Sequence, residues 1–317
     1  MTFEIRLFTP EDAIAWDFFI AKTLQGTFLH TRKFLSYHQD QFIDQSLIIS
    51  DGEKWVAIFP AATNPGDPSQ VVSHPGITYG GFLHQGRLRG LAMIEVFHLT
   101  QSFYSNLGFK SLIYKVVPSF YHRSPAQDDL YALFRLGASK IRCDLSSTID
   151  LENRRPLMKG RRWGIKKAQK ANVHIVHGTH YLQTFWEILT NNLAEKHEVS
   201  PVHSLIEIEV LIERFPEEIL CICAENNGAV VAGVILFVTN QTLHTQYIAS
   251  NFLGREISAV DAVIEYCILF GKTSGKRWFD FGINNENNGL ILNDELYTYK
   301  NGFGGGGYTH DFYQLVF

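Results

Sequence analysis

Apolar and polar positions run through the same order twice along this chain. "QSLIISDGEKWVAIFPA" sets two β-branched runs around Asp51-Gly52, and "EILCICAENNGAVVAGVILF" does so around Asn227-Gly228. These dipeptides between alternating hydrophobics predict tight hairpins, because Asn, Asp and Gly tolerate the left-handed backbone such turns require. A third strand follows each hairpin, within "VVSHPGITYGGFLH" and "TLHTQYIASNFLGRE". Next comes a helical stretch with an Ile-Glu pair, "LRGLAMIEVFHLTQSFYSN" and "SAVDAVIEYCILFGKTSG", and then another strand, "SLIYKVV" and "WFDFGI". Gly228 lies 176 positions after Gly52, and Glu265 lies 170 after Glu95. Two β-β-β-α-β passages at so similar an offset predict a duplicated α/β chain, with domains 1–152 and 153–317. Helical sequence precedes each hairpin. "EDAIAWDFFIAKT" follows Thr9-Pro10, and "THYLQTFWEILTNNLAEKH" spaces Phe185, Ile188, Leu189 and Leu193 for one face.

Composition alters this picture in one place. The 317 residues are 45% hydrophobic and 19% charged with net charge −4, an ordinary globular balance that excludes a uniformly basic nucleic-acid binder. Yet Arg154 to Lys170 holds eight lysines and arginines and no acid. A basic helix over 154–171 is predicted. Arg161, Arg162, Lys166 and Lys167 recur at helical spacing, suited to a phosphate-rich ligand such as a nucleotide sugar, CoA or a tRNA acceptor stem. A solvated helix face is the alternative. Four scattered cysteines make no disulfide framework, and no apolar run reaches the about 18 residues that span a bilayer. A reducing cytoplasm is the expected setting. No metal-ligand spacing, Gly-x-Ser-x-Gly elbow or phosphate loop is present, so the site is expected to hold no metal and no tightly bound cofactor.

The candidate chemistry lies elsewhere. In "YKNGFGGGGYTH", Lys300 stands between aromatic strand-formers and a glycine run. It is read either as a cation meeting a phosphate or oxyanion, or as a strand-edge surface lysine. Gly302, Gly304 and Gly305 then let backbone pass close to a ligand or form a bulged turn. Asp280, ending a strand between Phe279 and Phe281, is a candidate base or a satisfied core aspartate. Tyr247, in "HTQYIAS", is a candidate proton donor or a core tyrosine. Tyr79 and Gly80 are candidates for holding an acceptor, and "EKHEVSPVHS" is a candidate lid.

Four stretches carry a family likeness: "SHPGITYGGFL", "RRWGIKKAQKANVHI", "RWFDFGINNENNG" and "ELYTYKNGFGG". In order and spacing, from about Ser46 to Gly305, the chain resembles the FemAB-type transferases, tandem copies of the GNAT N-acyltransferase fold. That family adds amino acids to peptidoglycan precursors, and relatives act in cell-surface polysaccharide pathways. The resemblance implies two GNAT-like domains, each a mixed, mainly antiparallel sheet flanked by helices. It implies an acyl or aminoacyl transfer to an amine of an amino sugar or cell-wall precursor. Acyl-CoA or aminoacyl-tRNA would be the co-substrate, Lys300, Asp280 and Tyr247 the catalytic candidates. The acyl-CoA loop of GNAT domains maps onto the stretch from "NFLGRE" to Ser258, so Asn251, Gly254, Arg255 and Ser258, with Arg161 and Arg162, become donor-binding candidates. Glu256 departs from the pattern where a small residue belongs, and a carboxylate there opposes pyrophosphate. A catalytically inactive binding protein of the same fold is the further alternative.

Overall fold

Both predicted hairpins form. Strands β2 (Leu47–Asp51) and β3 (Lys54–Phe59) pair antiparallel with Asp51 opposite Lys54. β10 (Ile219–Asn226) and β11 (Ala229–Val238) do so with Asn226 opposite Ala229. Gly52, Asn227 and Gly228 have positive φ, as two-residue turns demand. The computed structural model describes residues 2–197 and 201–317.

Contacts divide the chain into unit 1 (Met1–Asp144, Asn287–Ile291, Thr309–Phe317) and unit 2 (Leu145–Glu286, Leu292–Tyr308). This division by contacts differs from the expected one at 152/153. The break falls inside a continuous strand, β8 (Ser139–Asp150), where no loop interrupts the chain to mark it. The last residues also return to unit 1, because β14 (Gly306–Val316) sets Phe312 opposite Lys115 and Val316 opposite Ser111.

In unit 1, β1 (Phe3–Leu7), β2, β3 and β6 (Leu83–His84) make an antiparallel sheet. Pro60 follows β3; without an N–H it cannot continue a ladder. After it, β4 (Ala62–Asn64) opens a second run with β5 (Asp67–Val72), β7 (Ser111–Lys115) and the unit 1 part of β14. Only β5 and β7 are parallel there. Helices α1 (Ala13–Ile20), α2 (Arg32–Leu35), α3 (Leu91–Asn106) and α4 (Asp128–Arg135) complete the unit. α3 buries Met93, Val96, Phe97, Thr100 and Tyr104, spaced at three and four. This stripe packs on Leu47, Phe59, Phe82, Leu112 and Tyr114.

In unit 2, the later part of β8 neighbours β13 (Trp278–Ile283), followed by β12 (Thr242–Ser250), β11, β10 and β9 (His174–His177). Only β12 and β13 run parallel; the other neighbours are antiparallel. One face is covered by α9 (Ala259–Thr273), which buries Val263, Ile264, Cys267 and Ile268 against Ile222, Val234, Leu243 and Phe279. Each such side chain contributes about 1.5–3 kcal/mol. Beside it lies α5 (Lys159–Lys170), shorter than the expected 154–171. Pro156 disfavours helix in the residue before it, and Met158 is still extended as the N-cap. The opposite face meets α6 (Leu182–His197), whose Phe185 ring packs against Gly233. The helices α7 (Leu205–Arg214), α8 (Phe252–Glu256) and α10 (Asp294–Asn301) complete unit 2.

The strand reading around Lys300 is corrected by α10. Asn293 caps this helix, its Oδ1 accepting the Leu296 N–H at 3.0 Å. Tyr299 and Phe303, four apart, meet edge to face with centroids 5.6 Å apart. An aromatic period of four belongs to a helix.

Candidate active site

The β12–β13 ladder has three pairs, Thr242–Trp278, Leu243–Phe279 and His244–Asp280, and then the strands part. Beyond the fork β12 pairs with β11 only on its other side, up to Ser250, and bulges at Gln246. The bulge is why His244 and Tyr247, three apart, share the α6 face. His244 lies near Phe237 and Tyr247 meets Trp186 edge-on at 5.2 Å, while Leu243 and Ile248 pack toward α9.

Asp280 sits at the fork, fully buried. Its Oδ1 accepts the hydroxyls of Ser146 and, at 2.9 Å, Thr148, two residues apart on one face of β8. Its Oδ2 lies 2.7 Å from Nδ1 of His244. It therefore does not reach a cleft as expected of a base; the carboxylate is enclosed by donors. His244 keeps 14% of its side chain exposed, and its Nε2 has no hydrogen-bond partner among the described residues.

Lys300 is buried rather than on the surface. From α10 its Nζ donates to the carbonyls of Gly282 and Ile283 at 3.1 and 2.9 Å, closing the end of β13. Burial pushes its ammonium down to about 8, against the attraction of Asp280. The Tyr247 hydroxyl lies 2.6 Å from Nδ1 of His203 and accepts the His203 N–H at 3.2 Å. Burial pushes that hydroxyl above the ordinary tyrosine range.

A cavity of about 400 Å³ opens at the far end of β12. Ser250, Gly254, Arg255, Ser258 and Asp261 line it, with Arg161 and Trp163 of α5 and Tyr299 of α10. Asn251 shapes the turn: its Oδ1 caps α8 by accepting the Gly254 N–H at 2.8 Å. A Cβ on Gly254 would stand 2.1 Å from the Val231 carbonyl oxygen. Ser258 starts α9 in the left-handed region at φ 60°. Arg161 pairs with Asp261 at 2.5 Å and lies 4.2 Å over the Tyr299 ring, whose hydroxyl donates to the same carboxylate at 2.9 Å. Burial lifts the Asp261 carboxyl above its usual range even so. Arg255 donates to the Ser250 carbonyl at 3.1 Å. Glu256 is exposed and off the cavity wall, so the expected opposition to an anion does not arise there.

Other expected site residues fall elsewhere. Arg162 and Lys166 are exposed and off this cavity, Arg162 donating to the Leu157 carbonyl. Gly302 lies against the Arg161 side chain, whose Cγ a Cβ would approach to 3.0 Å, and Gly304 allows a backbone crossing, since a Cβ there would stand 2.2 Å from the Arg155 carbonyl oxygen. Tyr79 belongs to the unit 1 core, its ring centroid 4.4 Å from that of Tyr121, and a Cβ on Gly80 would meet the Ser73 carbonyl oxygen at 2.1 Å. Of "EKHEVSPVHS", residues 198–200 lie outside the described residues; His203 meets Tyr247. His244, His203 and Asp261 were not singled out by sequence. Their partners stand 36, 44 and 100 positions away, and no local spacing announces such pairings.

Residues 152–301 match the model of an acetyltransferase (GNAT) domain. No curated protein matches the sequence. Among solved structures, FemX overlays with TM-score 0.70 at 10% identity, covering 99% of this chain and 97% of its own. L-PGS from Bacillus licheniformis gives 0.62 at 12% identity, with 96% and 91% covered. A tandem GNAT protein from the clavulanic acid biosynthesis pathway gives 0.52 at 11%, with 99% and 98% covered. Taken with the forked parallel pair of unit 2, these likenesses show a GNAT domain over residues 152–301 and, for the chain as a whole, the tandem GNAT fold.

Proposed function

We propose that unit 2 transfers an acyl group from a phosphate-bearing carrier, acyl-CoA in the first instance, to an amine of an amino sugar or cell-surface precursor. One observation carries this reading. The parallel strands part at His244 and Asp280, and the strand that leaves runs to a cavity holding Arg161, Arg255 and the first turn of α9. Six residues of strand span roughly 20 Å, room for an extended carrier arm. Phosphates at the cavity meet two guanidinium groups and the positive end of α9. The acyl carbonyl then lies beside the bulge at Gln246, near backbone outside the regular ladder. In this reading Lys300 fixes the end of β13 and biases the fork toward negative charge. Tyr247 returns a proton to the leaving group.

Melting curves with acetyl-CoA test the donor. Ligand at a hundred times its Kd stabilises a folded protein by about 2.7 kcal/mol. Arg161→Ala combined with Arg255→Ala should abolish most of the shift. No shift at millimolar acetyl-CoA overturns the donor assignment; a shift without amine-dependent thiol release supports the binding-protein reading instead.

A second reading keeps the aminoacyl-tRNA donor that the FemAB resemblance implies. Against it, Arg154 of the basic segment is already engaged by Glu265 at 2.9 and 2.6 Å. Binding of tRNA that acetyl-CoA does not displace would favour this second donor.

A further inference from the structure

We infer that His244 is the general base of the transfer and that Asp280 is its positioning residue. The inference rests on the transfer reading above and assigns the proton step that reading leaves open. Asp280 cannot take a proton from a substrate directly, since it is fully buried and its oxygens face Ser146, Thr148 and His244. The two hydroxyls point their hydrogens at Oδ1, which keeps the group an acceptor, so the hydrogen on the His244 side belongs to Nδ1. That leaves the lone pair on Nε2, the nitrogen with no partner among the described residues, on a ring that is still partly exposed. A carboxylate that fixes the tautomer of an imidazole, which in turn takes the proton, is the division of labour in hydrolase triads.

Place and space agree with the role. His244 is the last residue of β12 paired with β13, so its ring stands where the two strands part. Gly282, at φ 76° on the neighbouring strand, leaves the ring room: a Cβ there would lie 3.2 Å from His244 Cε1. His203 is less suited, because its Nδ1 and its backbone N–H already meet the Tyr247 hydroxyl.

The step balances without an outside reagent. The amine lone pair forms the new N–C bond at the thioester carbonyl, and an N–H proton passes to Nε2. The tetrahedral intermediate collapses with loss of the C–S bond, and the thiolate takes a proton back, giving amide and free thiol. The imidazolium is stabilised in the interval by Asp280 at 2.7 Å.

The experiment follows thiol release from acetyl-CoA with glucosamine as the probe amine, in the wild type, His244→Ala, His244→Gln and Asp280→Asn, each checked for an intact melting transition. A general base contributes about 10²–10⁴-fold. Both His244 variants should lose that factor in kcat at an unchanged donor KM, and added imidazole should restore part of it in His244→Ala alone. Asp280→Asn should lose a similar factor; should it fail to fold, the two His244 variants still decide. The ¹⁵N imidazole spectrum of the wild type, which needs no turnover, should show His244 protonated on Nδ1. Turnover retained in both His244 variants, a loss confined to KM, or a proton on Nε2 overturns the inference and leaves the transfer reading standing. A wild type that binds acetyl-CoA but never releases thiol overturns that reading, and this inference with it.

Discussion

The two units carry the same device in two states. Each has one parallel strand pair followed in space by a buried lysine that donates to backbone carbonyls. In unit 2, β12 and β13 part after three pairs, and Lys300 joins Gly282 and Ile283 beside the carboxylate of Asp280. In unit 1, β5 and β7 part after Val72 and Ile113, but the chain closes the gap at once. The Lys115 N–H donates to Ser73 Oγ at 2.7 Å and the Gly80 N–H to the Lys115 carbonyl at 3.0 Å. Lys115 itself donates to the carbonyls of His74 and Ile77, and burial, with Arg142 adding to it, pushes its ammonium down to about 7. The helix starts differ in the same sense. In unit 1 the Gly90 N–H at the head of α3 is taken by the Asp128 carboxylate at 2.8 Å, whereas the head of α9 opens on a cavity with two arginines. Unit 1 closes its fork with backbone and Ser73 and covers the start of α3 with Asp128; in unit 2 the strands stay parted beyond His244 and the start of α9 borders a cavity.

Acid should separate the units most. Burial drives His30, His84 and His122 of unit 1 down to about 4 and His74 well below the ordinary 6.5. Between pH 6.5 and 4 the unfolded chain binds more protons at these sites, so stability falls as pH falls through that window, by several kcal/mol in all. Asp129, raised to about 6, offsets a part. Hydrogen exchange along an acid titration should show unit 1 amides losing protection before those of unit 2. Equal loss would break the contrast.

Removing the lysines should come next. Lys300→Met strips two carbonyls and a buried carboxylate of their cation, at about 3 kcal/mol, with turnover lost. Lys115→Met leaves only carbonyls, so about 1–2 kcal/mol, with turnover kept. Because Lys115 binds its proton less well when folded, at about 7 against 10.5, its contribution to stability should rise with pH across that interval. That slope should vanish in Lys115→Met. Chemical denaturation over pH 7 to 10 reads both effects.

Smaller still are the helix starts. Arg255→Ala should raise the donor KM about tenfold, roughly 1.4 kcal/mol, at unchanged stability. Asp128→Asn should cost about 1 kcal/mol of stability and nothing in turnover.

Much of the fold was legible because it is written in local chemistry. Asp51-Gly52 and Asn227-Gly228 dictate turns, and the spacing of Phe185, Ile188, Leu189 and Leu193 marks one face of α6, on which Phe185 and Leu189 are buried. Reading Lys300 as a strand-edge lysine between aromatic strand-formers failed because aromatic content was weighed above the Asn293 cap that starts α10. The site was half legible. Gly254, Arg255, Ser258 and Arg161 do share one cavity wall. Lys300, Asp280 and Tyr247 stand at or near the fork, each held by partners the sequence did not name.

By itself the sequence determined the doubled order of elements, the two hairpins and the apolar face of α6, since neighbours a few residues apart set these through backbone preference and burial period. Only the tertiary structure decided which half keeps an open fork, that His244 faces Asp280, and that the final strand returns to unit 1. Strand register joins residues tens to hundreds of positions apart. No period along the chain encodes such a pairing; the packing of whole elements selects it.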